Sequence, residues 1–244
     1  MKEYYIDSDG IQLHAKLDRA EGVEKGPLCI LIHGFTGHME EEHIIEVQKA
    51  MNDSGVSVLR VEMYGHGGSG GTFAEHTLYK WVSNVFSVLE HVKTLDFVTD
   101  LYLCGHSQGG LLAMMMGGMC PDVFKALIPL SPAWMIPEVC RQGSILGADF
   151  DPEHIPEMVE TEEWSLSGNY IRVAQSIFVE PAIERFGGPV FIVHGDADET
   201  VPYSYAVKAA EKYKNCKLVS IHGADHCFNG HLDELYTVIR SWKV

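Results

Sequence analysis

The run Leu101-Tyr102-Leu103-Cys104-Gly105-His106-Ser107-Gln108-Gly109-Gly110-Leu111-Leu112 decides how this chain folds. Leu101–Cys104 is a short apolar strand-like run, and Gln108–Cys120 reads as a helix that stops before Pro121. Between them, Gly105-His106-Ser107-Gln108-Gly109 fits G-x-S-x-G. A strand, a sharp turn and a helix in that order display a serine at a tight, strained backbone position. Gly105 and Gly109 leave room where side chains would meet the neighbouring strand and helix. The helix N-terminus turns unpaired N–H groups and a positive dipole end toward the serine. Ser107 is therefore the candidate nucleophile.

Working outward, short apolar β-branched runs alternate with longer helix-period segments, the pattern of a mostly parallel sheet covered by helices. Glu3–Asp7 and Ile11–Asp18 flank the turn Ser8-Asp9-Gly10 and read as an antiparallel hairpin. Strands are expected at Leu28–His33, Val56–Met63, Leu101–Cys104, Ala126–Leu130, Val190–His194 and Lys217–His222. Helices are expected at Glu40–Asp53, Thr77–Leu95, Gln108–Cys120, Tyr203–Tyr213 and Asn229–Trp242. Between Ser131 and about Gly188 the alternation lapses. That stretch holds five of the ten prolines and the acid-rich Asp149–Glu163, without repeats, so it reads as a partly helical insertion. The expectation is about eight strands with helices on both faces: a core at 1–131 and 189–244, and an inserted cap at 132–188 over the site.

Composition narrows the function. The 244 residues carry 18 basic and 34 acidic side chains, a net charge of -16. Nucleic-acid binding needs a cationic face, and no Lys/Arg cluster exists, so neither a nucleic acid nor an anionic membrane surface is expected as partner. No apolar run reaches the roughly 18 residues of a membrane span, and the N-terminus lacks a signal-peptide apolar region. The six cysteines form no CxxC pair, which suits a reducing compartment; a cytoplasmic location is expected unless a leader has been removed. Thirteen histidines invite a metal, yet no HExxH or Cys/His ligand spacing is present. Neither metal nor cofactor is expected. The chain is expected to act as a monomer or homodimer.

A serine nucleophile needs a base, itself oriented by a third group, and after a strand–elbow–helix the order is Ser, then Asp or Glu, then His. Asp198 follows the strand Val190–His194, and His226 follows the last strand. Both fall where loops leave the C-terminal ends of parallel strands. His226 is assigned as base and Asp198 as its orienting acid. Asp196 and Asp225 are rival acids; His222 and His194, each ending a strand, are rival bases read as structural. For the oxyanion, one donor is the N–H of Gln108, after the nucleophile. The other comes from His33-Gly34-Phe35-Thr36-Gly37, with the N–H of Phe35 preferred. Gly65-His66-Gly67-Gly68-Ser69-Gly70-Gly71 could suggest a phosphate cradle, but no GK[ST] closes it, so it reads as a tight strand-to-helix loop.

With these residues together, the chain resembles an α/β-hydrolase over essentially its whole length. The marks are His33-Gly34-Phe35-Thr36-Gly37, Gly65-His66-Gly67-Gly68-Ser69, Gly105-His106-Ser107-Gln108-Gly109-Gly110, the Gly195…Asp198 loop and Gly223-Ala224-Asp225-His226-Cys227-Phe228. Within that superfamily it is most similar to bacterial cinnamoyl (feruloyl) esterases, with similarity reaching Asp151–Pro156 and Tyr170–Gln175. The resemblance implies a small α/β cap over the serine and hydrolysis of hydroxycinnamate esters of plant cell-wall sugars. It carries catalytic roles onto Ser107, Asp198 and His226 and oxyanion roles onto Phe35 and Gln108. One departure is Glu62, where related hydrolases often have Asp; the triad is untouched by it.

The cap is expected to supply the acyl pocket. Trp134, Trp164 and Tyr170 are large, rigid surfaces suited to a planar aromatic acid. If the acidic stretch borders the entrance, it favours neutral esters and repels the free acid product. A monoacylglycerol lipase shares much of the motif set, and thioesterase or acyltransferase chemistry fits the same three residues. A ligand-binding receptor on the same fold is the non-enzymatic alternative. Dehalogenases and epoxide hydrolases place Asp where this chain has Ser107.

Overall fold

In the computed structural model, which describes residues 1–242, the chain opens with a hairpin of β1 (Lys2–Ser8) and β2 (Ile11–Asp18). The strands pair from Lys2–Leu17 to Ser8–Ile11 across a turn in which Asp9 and Gly10 both hold positive φ. That turn matches the twist of the strands it joins. There follow β3 (Gly26–Ile32), α1 (Glu42–Asp53), β4 (Ser57–Val61), α2 (Leu78–Val92), β5 (Val98–His106), α3 (Gln108–Met119) and β6 (Ala126–Leu130). After the intervening segment come β11 (Val190–Gly195), α7 (Tyr203–Lys212), β12 (Cys216–Ile221) and α8 (Leu232–Ser241). The segment itself carries α4 (Ile136–Gln142), a ribbon of β7 (Ser144–Ile145) and β8 (Ala148–Asp149), a ribbon of β9 (Met158–Glu160) and β10 (Ser165–Ser167), then α5 (Gly168–Gln175) and α6 (Glu180–Arg185).

Eight strands form one sheet in the order β1-β2-β4-β3-β5-β6-β11-β12. From β4 to β12 every neighbouring pair is parallel, and β2 runs antiparallel to both β1 and β4. This is the eight-stranded, mostly parallel sheet expected from the alternation of runs. β3 shows why its sequence is nearly continuously apolar. Leu28, Ile30 and Ile32 join a cluster with residues of α2 and α3, whereas Cys29 and Leu31 face Ile44, Val47 and Met51 of α1 and Leu235 and Ile239 of α8. Both faces are covered, so both phases of the strand must be apolar. Burying each large aliphatic chain contributes roughly 1.5–3 kcal/mol.

Helix α3 is buried nearly all round. Its far side meets α6: a Cβ added to Gly118 would lie 2.3 Å from the Cα of Ala182. The close approach of two helix backbones is what requires glycine there. The ends of several helices are shorter than the sequence suggests. Residues after Val92 close in turns, Thr94 N–H donating to His91 and Leu95 N–H to Val92. Asn229 is held by the Asp225 carboxylate rather than by α8, which begins at Leu232. In the segment 132–188 the local pattern shows helix, and two short β ribbons accompany it: Leu146 and Gly147, with φ of 42° and 88°, make a tight hairpin turn between β7 and β8. Among the described residues, no helix is long and apolar enough to cross a membrane.

Candidate active site

Ser107 sits between β5 and α3 with φ 54° and ψ -116°. Such a conformation is strained for a residue with a Cβ, and the surroundings impose it. The Ser107 N–H donates to the Leu130 carbonyl at 2.9 Å, and its own carbonyl accepts from Leu111 and Ala133 at 3.0 Å each. The flanking glycines are obligatory. A Cβ on Gly105 would fall 2.2 Å from the Gly109 oxygen, and one on Gly109 would fall 2.5 Å from the carbonyl oxygens of Ile32 and His33. The elbow therefore presses against the end of β3, and the loop following β3 lies beside the serine.

Asp198, beyond the end of β11, is a carboxylate without solvent. Its side chain is 0% exposed and accepts four hydrogen bonds. Oδ1 takes the N–H groups of Thr200 and Val201 at 2.9 and 2.8 Å; Oδ2 takes His226 Nδ1–H at 2.7 Å and His194 Nε2–H at 3.0 Å. Burial opposes ionisation, but these donors and the nearby His226 outweigh it and hold the carboxyl well below the usual range. With Nδ1 committed to Asp198, His226 has Nε2 left for the cavity, where its ring and Ser107 are both on the wall.

The rival residues are placed elsewhere. Asp196 pairs with His222, whose side chain is 98% exposed, and accepts the Gly223 N–H. Asp225 accepts from Cys227 and Asn229, closing its own turn. His194 is buried, its Nε2–H shared between Asp198 and the Val201 carbonyl. It touches the Asp198 carboxylate rather than the cavity, a partnership the sequence does not signal beyond its position four residues before Asp198.

The loop after β3 shows how a backbone amide is aimed. His33 is wholly buried, and burial with the neighbouring His66 lowers its pKa to about 3, so the ring is neutral. Its Nε2 accepts the Met63 N–H at 3.1 Å, which leaves Nδ1–H to donate to the Gly34 carbonyl at 2.8 Å. Among the described residues no peptide bond is cis, and in a planar trans peptide the C=O and N–H point oppositely. Drawing the Gly34 oxygen toward His33 therefore turns the Phe35 N–H the other way. The next carbonyl, that of Phe35, lies 2.6 Å from His66 Nε2. Among the described residues neither the Phe35 nor the Gln108 N–H has an acceptor.

Above these groups is a cavity of about 490 Å³. Its wall includes Gly34–Gly37, Ser107 and His226, with Leu146, Gly147, Glu163 and Trp164 from the inserted segment and Glu199 and Thr200 from the Asp198 loop. Glu41, Glu163 and Glu199 are its carboxylates, and among the described residues neither Lys nor Arg lines it. Of the three aromatic residues expected to meet substrate, Trp164 is on this wall. Trp134 and Tyr170 are not. Trp134 donates its indole N–H to the Tyr205 carbonyl at 2.8 Å. Tyr170 is fully buried, its hydroxyl donating to Gln108 Oε1 at 2.5 Å and its ring edge-on to Phe35. Both polar tips find partners at the seam between segment and core, as buried Trp and Tyr require. The wall residues that the sequence reading missed, Glu199, Thr200 and Cys227, adjoin Asp198 and His226, and adjacency was the available signal; Leu146 had none. Among the described residues, no group of three or more His, Cys, Asp or Glu is arranged to hold a metal.

A profile of the family described as Hydrolase_4, serine aminopeptidase S33, matches residues 24–163, more than half of the chain. The solved structure of Est1E from Butyrivibrio proteoclasticus with ferulic acid bound is 53% identical, covers 97% of this chain and 96% of its own, and superposes with a TM-score of 0.95. Protein ABHD12B of Homo sapiens is 27% identical over 78% of this chain and 50% of its own length. The palmitoyl-protein thioesterase ABHD10 of Rattus norvegicus, a mitochondrial protein, is 25% identical over 77% of this chain and 64% of its own. The chain thus spans between half and two thirds of the length of these curated relatives.

Proposed function

The chain belongs to the Hydrolase_4 family of α/β-hydrolases, and on that premise we propose that it is a serine carboxylesterase that hydrolyses hydroxycinnamate, feruloyl-type, esters. One observation carries the acyl assignment: near full-length likeness, at 53% identity, to Est1E, whose structure was solved with ferulic acid bound. The cavity supports it. Trp164 offers a flat apolar surface beside the nucleophile, suited to a planar aromatic ring.

In the proposed reaction, His226 Nε2 takes the Ser107 Oγ proton as Oγ attacks the ester carbonyl carbon. The tetrahedral oxyanion is met by the N–H groups of Phe35 and Gln108, each contributing about 2.7–4 kcal/mol of transition-state stabilisation by analogy with other such donors. His226 returns the proton to the departing alcohol oxygen as the C–O bond breaks, leaving the acyl group on Ser107. Water, deprotonated by His226, then attacks the acyl carbon and releases the acid and the free serine. Asp198 remains ionised throughout and stabilises the imidazolium that forms twice per turnover. Three glutamates on a wall without Lys or Arg favour uncharged esters and repel the carboxylate product. Hydroxycinnamate esters of plant cell-wall sugars meet that requirement, and six free cysteines support a reducing, cytoplasmic setting. The segment 132–188 acts as the cap that supplies Trp164.

The test is kcat/KM for methyl ferulate against a short monoacylglycerol of matched solubility and a palmitoyl thioester, with Ser107→Ala as blank. Preference for ferulate is the expected result. Preference for the glycerol ester or the thioester would keep the fold and the mechanism but overturn the acyl assignment.

A further inference from the structure

His106, the residue immediately before the nucleophile, reaches across to the base. Its Nε2–H donates to the backbone carbonyl of His226 at 2.8 Å, a link between residues 120 apart in sequence. Among the described residues that carbonyl has no other donor. The His106 ring is held on several sides. Its centroid is 4.7 Å from the His226 ring and 4.2 Å from His43, which meets it edge-on, and a Cβ on Gly34 would come within 3.2 Å of its Nδ1. Burial, with His43 and His226 nearby, keeps the imidazole well below its usual pKa and hence neutral. Among the described residues Nδ1 is buried without a partner, so the single ring proton is on Nε2, where the bond to His226 needs it.

The base loop has reason to need such a tie. Residues 222–231 form no helix or strand, and Phe228 in that loop has φ 60°. The bond from His226 Nδ1 to Asp198 fixes one ring nitrogen, but a ring held at one atom can still pivot and swing Nε2 away from the serine. A second anchor on the residue's own backbone removes that freedom. The anchor comes from the elbow, which also carries Ser107, so the base is referenced directly to the nucleophile.

We propose that His106 is a positioning residue that sets the approach of His226 Nε2 to Ser107 Oγ through its hydrogen bond to the His226 carbonyl. The inference rests on the reading of Ser107 and His226 as nucleophile and base. Glutamine carries its amide nitrogen three bonds from Cβ, as histidine carries Nε2, and so reproduces the donor; asparagine is one bond short, and leucine has no donor.

The experiment measures kcat and KM for methyl ferulate, and the rate of serine labelling by a fluorophosphonate, in the intact protein and in His106→Leu, His106→Asn and His106→Gln. Thermal melts identify which variants fold. Misplacing a catalytic group by about 1 Å costs on the order of 100-fold. His106→Leu and His106→Asn are therefore expected to lose about 10- to 100-fold in kcat and in labelling rate, with KM within about twofold. His106→Gln is expected to recover to within about threefold of the parent. A folded His106→Leu with parental kcat would overturn the proposal, as would His106→Gln being no better than His106→Asn, a comparison that stands even if the leucine variant fails to fold. Ser107→Ala measured alongside separates the two levels. Turnover that survives it defeats the catalytic reading itself, whereas serine-dependent turnover indifferent to residue 106 defeats only the positioning role.

Discussion

At the scale of single residues, the Asp198 carboxylate carries the most demanding environment: no solvent and four N–H donors. Replacing it with Asn presents an amide where a carboxylate is required and removes the group that selects the His226 tautomer. Asp198→Asn is expected to lower kcat by about 10⁴-fold, as in other triads. Asp196→Asn, which loosens an exposed pair with His222 and keeps an oxygen for the Gly223 N–H, is expected to cost less than about threefold in kcat, since exposed pairs contribute little. Ester turnover by the two variants checks the assignment, and a reversed ranking would transfer the acid's role to Asp196. Ser107→Ala should lose at least ~10⁴-fold in kcat, and near-normal turnover would remove it as nucleophile. The sequence could nominate both acids because they lie two residues apart in one loop. It preferred Asp198 from its place in the loop and from the family resemblance; the inward turn of that side chain to His194 and His226 is what the structure adds.

At the scale of elements, the elbow and the β7–β8 hairpin show two kinds of backbone constraint. Gly109→Ala would drive a Cβ to within 2.5 Å of two carbonyl oxygens at the end of β3. Backbone atoms there have little room to yield, so the expected cost is at least about 2–3 kcal/mol in urea unfolding, with loss of activity. The hairpin between β7 and β8 holds Leu146 at φ 42° on the cavity wall, a conformation that Asn tolerates far better. Leu146→Asn is expected to raise the melting temperature while lowering kcat/KM for methyl ferulate about three- to tenfold, through loss of apolar contact. A variant both less stable and fully active would show that the leucine serves the fold alone. The elbow was legible because strand, turn and helix are adjacent in the chain. The hairpin was not: Ser144–Asp149 carries too short a period-2 pattern to announce two-residue strands, and only contact with the core makes them worth forming.

For the whole molecule, the buried histidines set a limit in acid. Burial lowers His33 and His76 to about 3 and His43 to about 4, whereas the unfolded chain titrates them near 6.5. Below about pH 6.5 the unfolded state binds more protons, so their stabilising neutrality is present above that pH and is lost as pH falls toward 3–4. Once well below 6.5, each contributes a slope of about 1.4 kcal/mol per pH unit. Asp198, whose folded pKa is depressed, adds a further loss below its unfolded value near 3.9. The urea midpoint is therefore expected to fall steadily from pH 7 to pH 5, and a flat profile over that range would contradict this picture of neutral buried rings.

The sequence by itself determined the alternation that makes a mostly parallel sheet, the elbow, and the placing of Ser107, Asp198 and His226 in loops at one edge of that sheet. Each rests on short-range patterns: apolar runs of strand length, glycines around a serine, and loops leaving parallel strands in a set order. Only the tertiary structure decided that Asp198 turns inward while Asp196 meets solvent, that Trp164 reaches the cavity while Trp134 and Tyr170 bond at the seam, and that His33 and His106 orient groups on other loops. Those outcomes depend on contacts between segments far apart in the chain. Burial and hydrogen-bond satisfaction fix a side chain's direction there, and neither is a property of the local sequence.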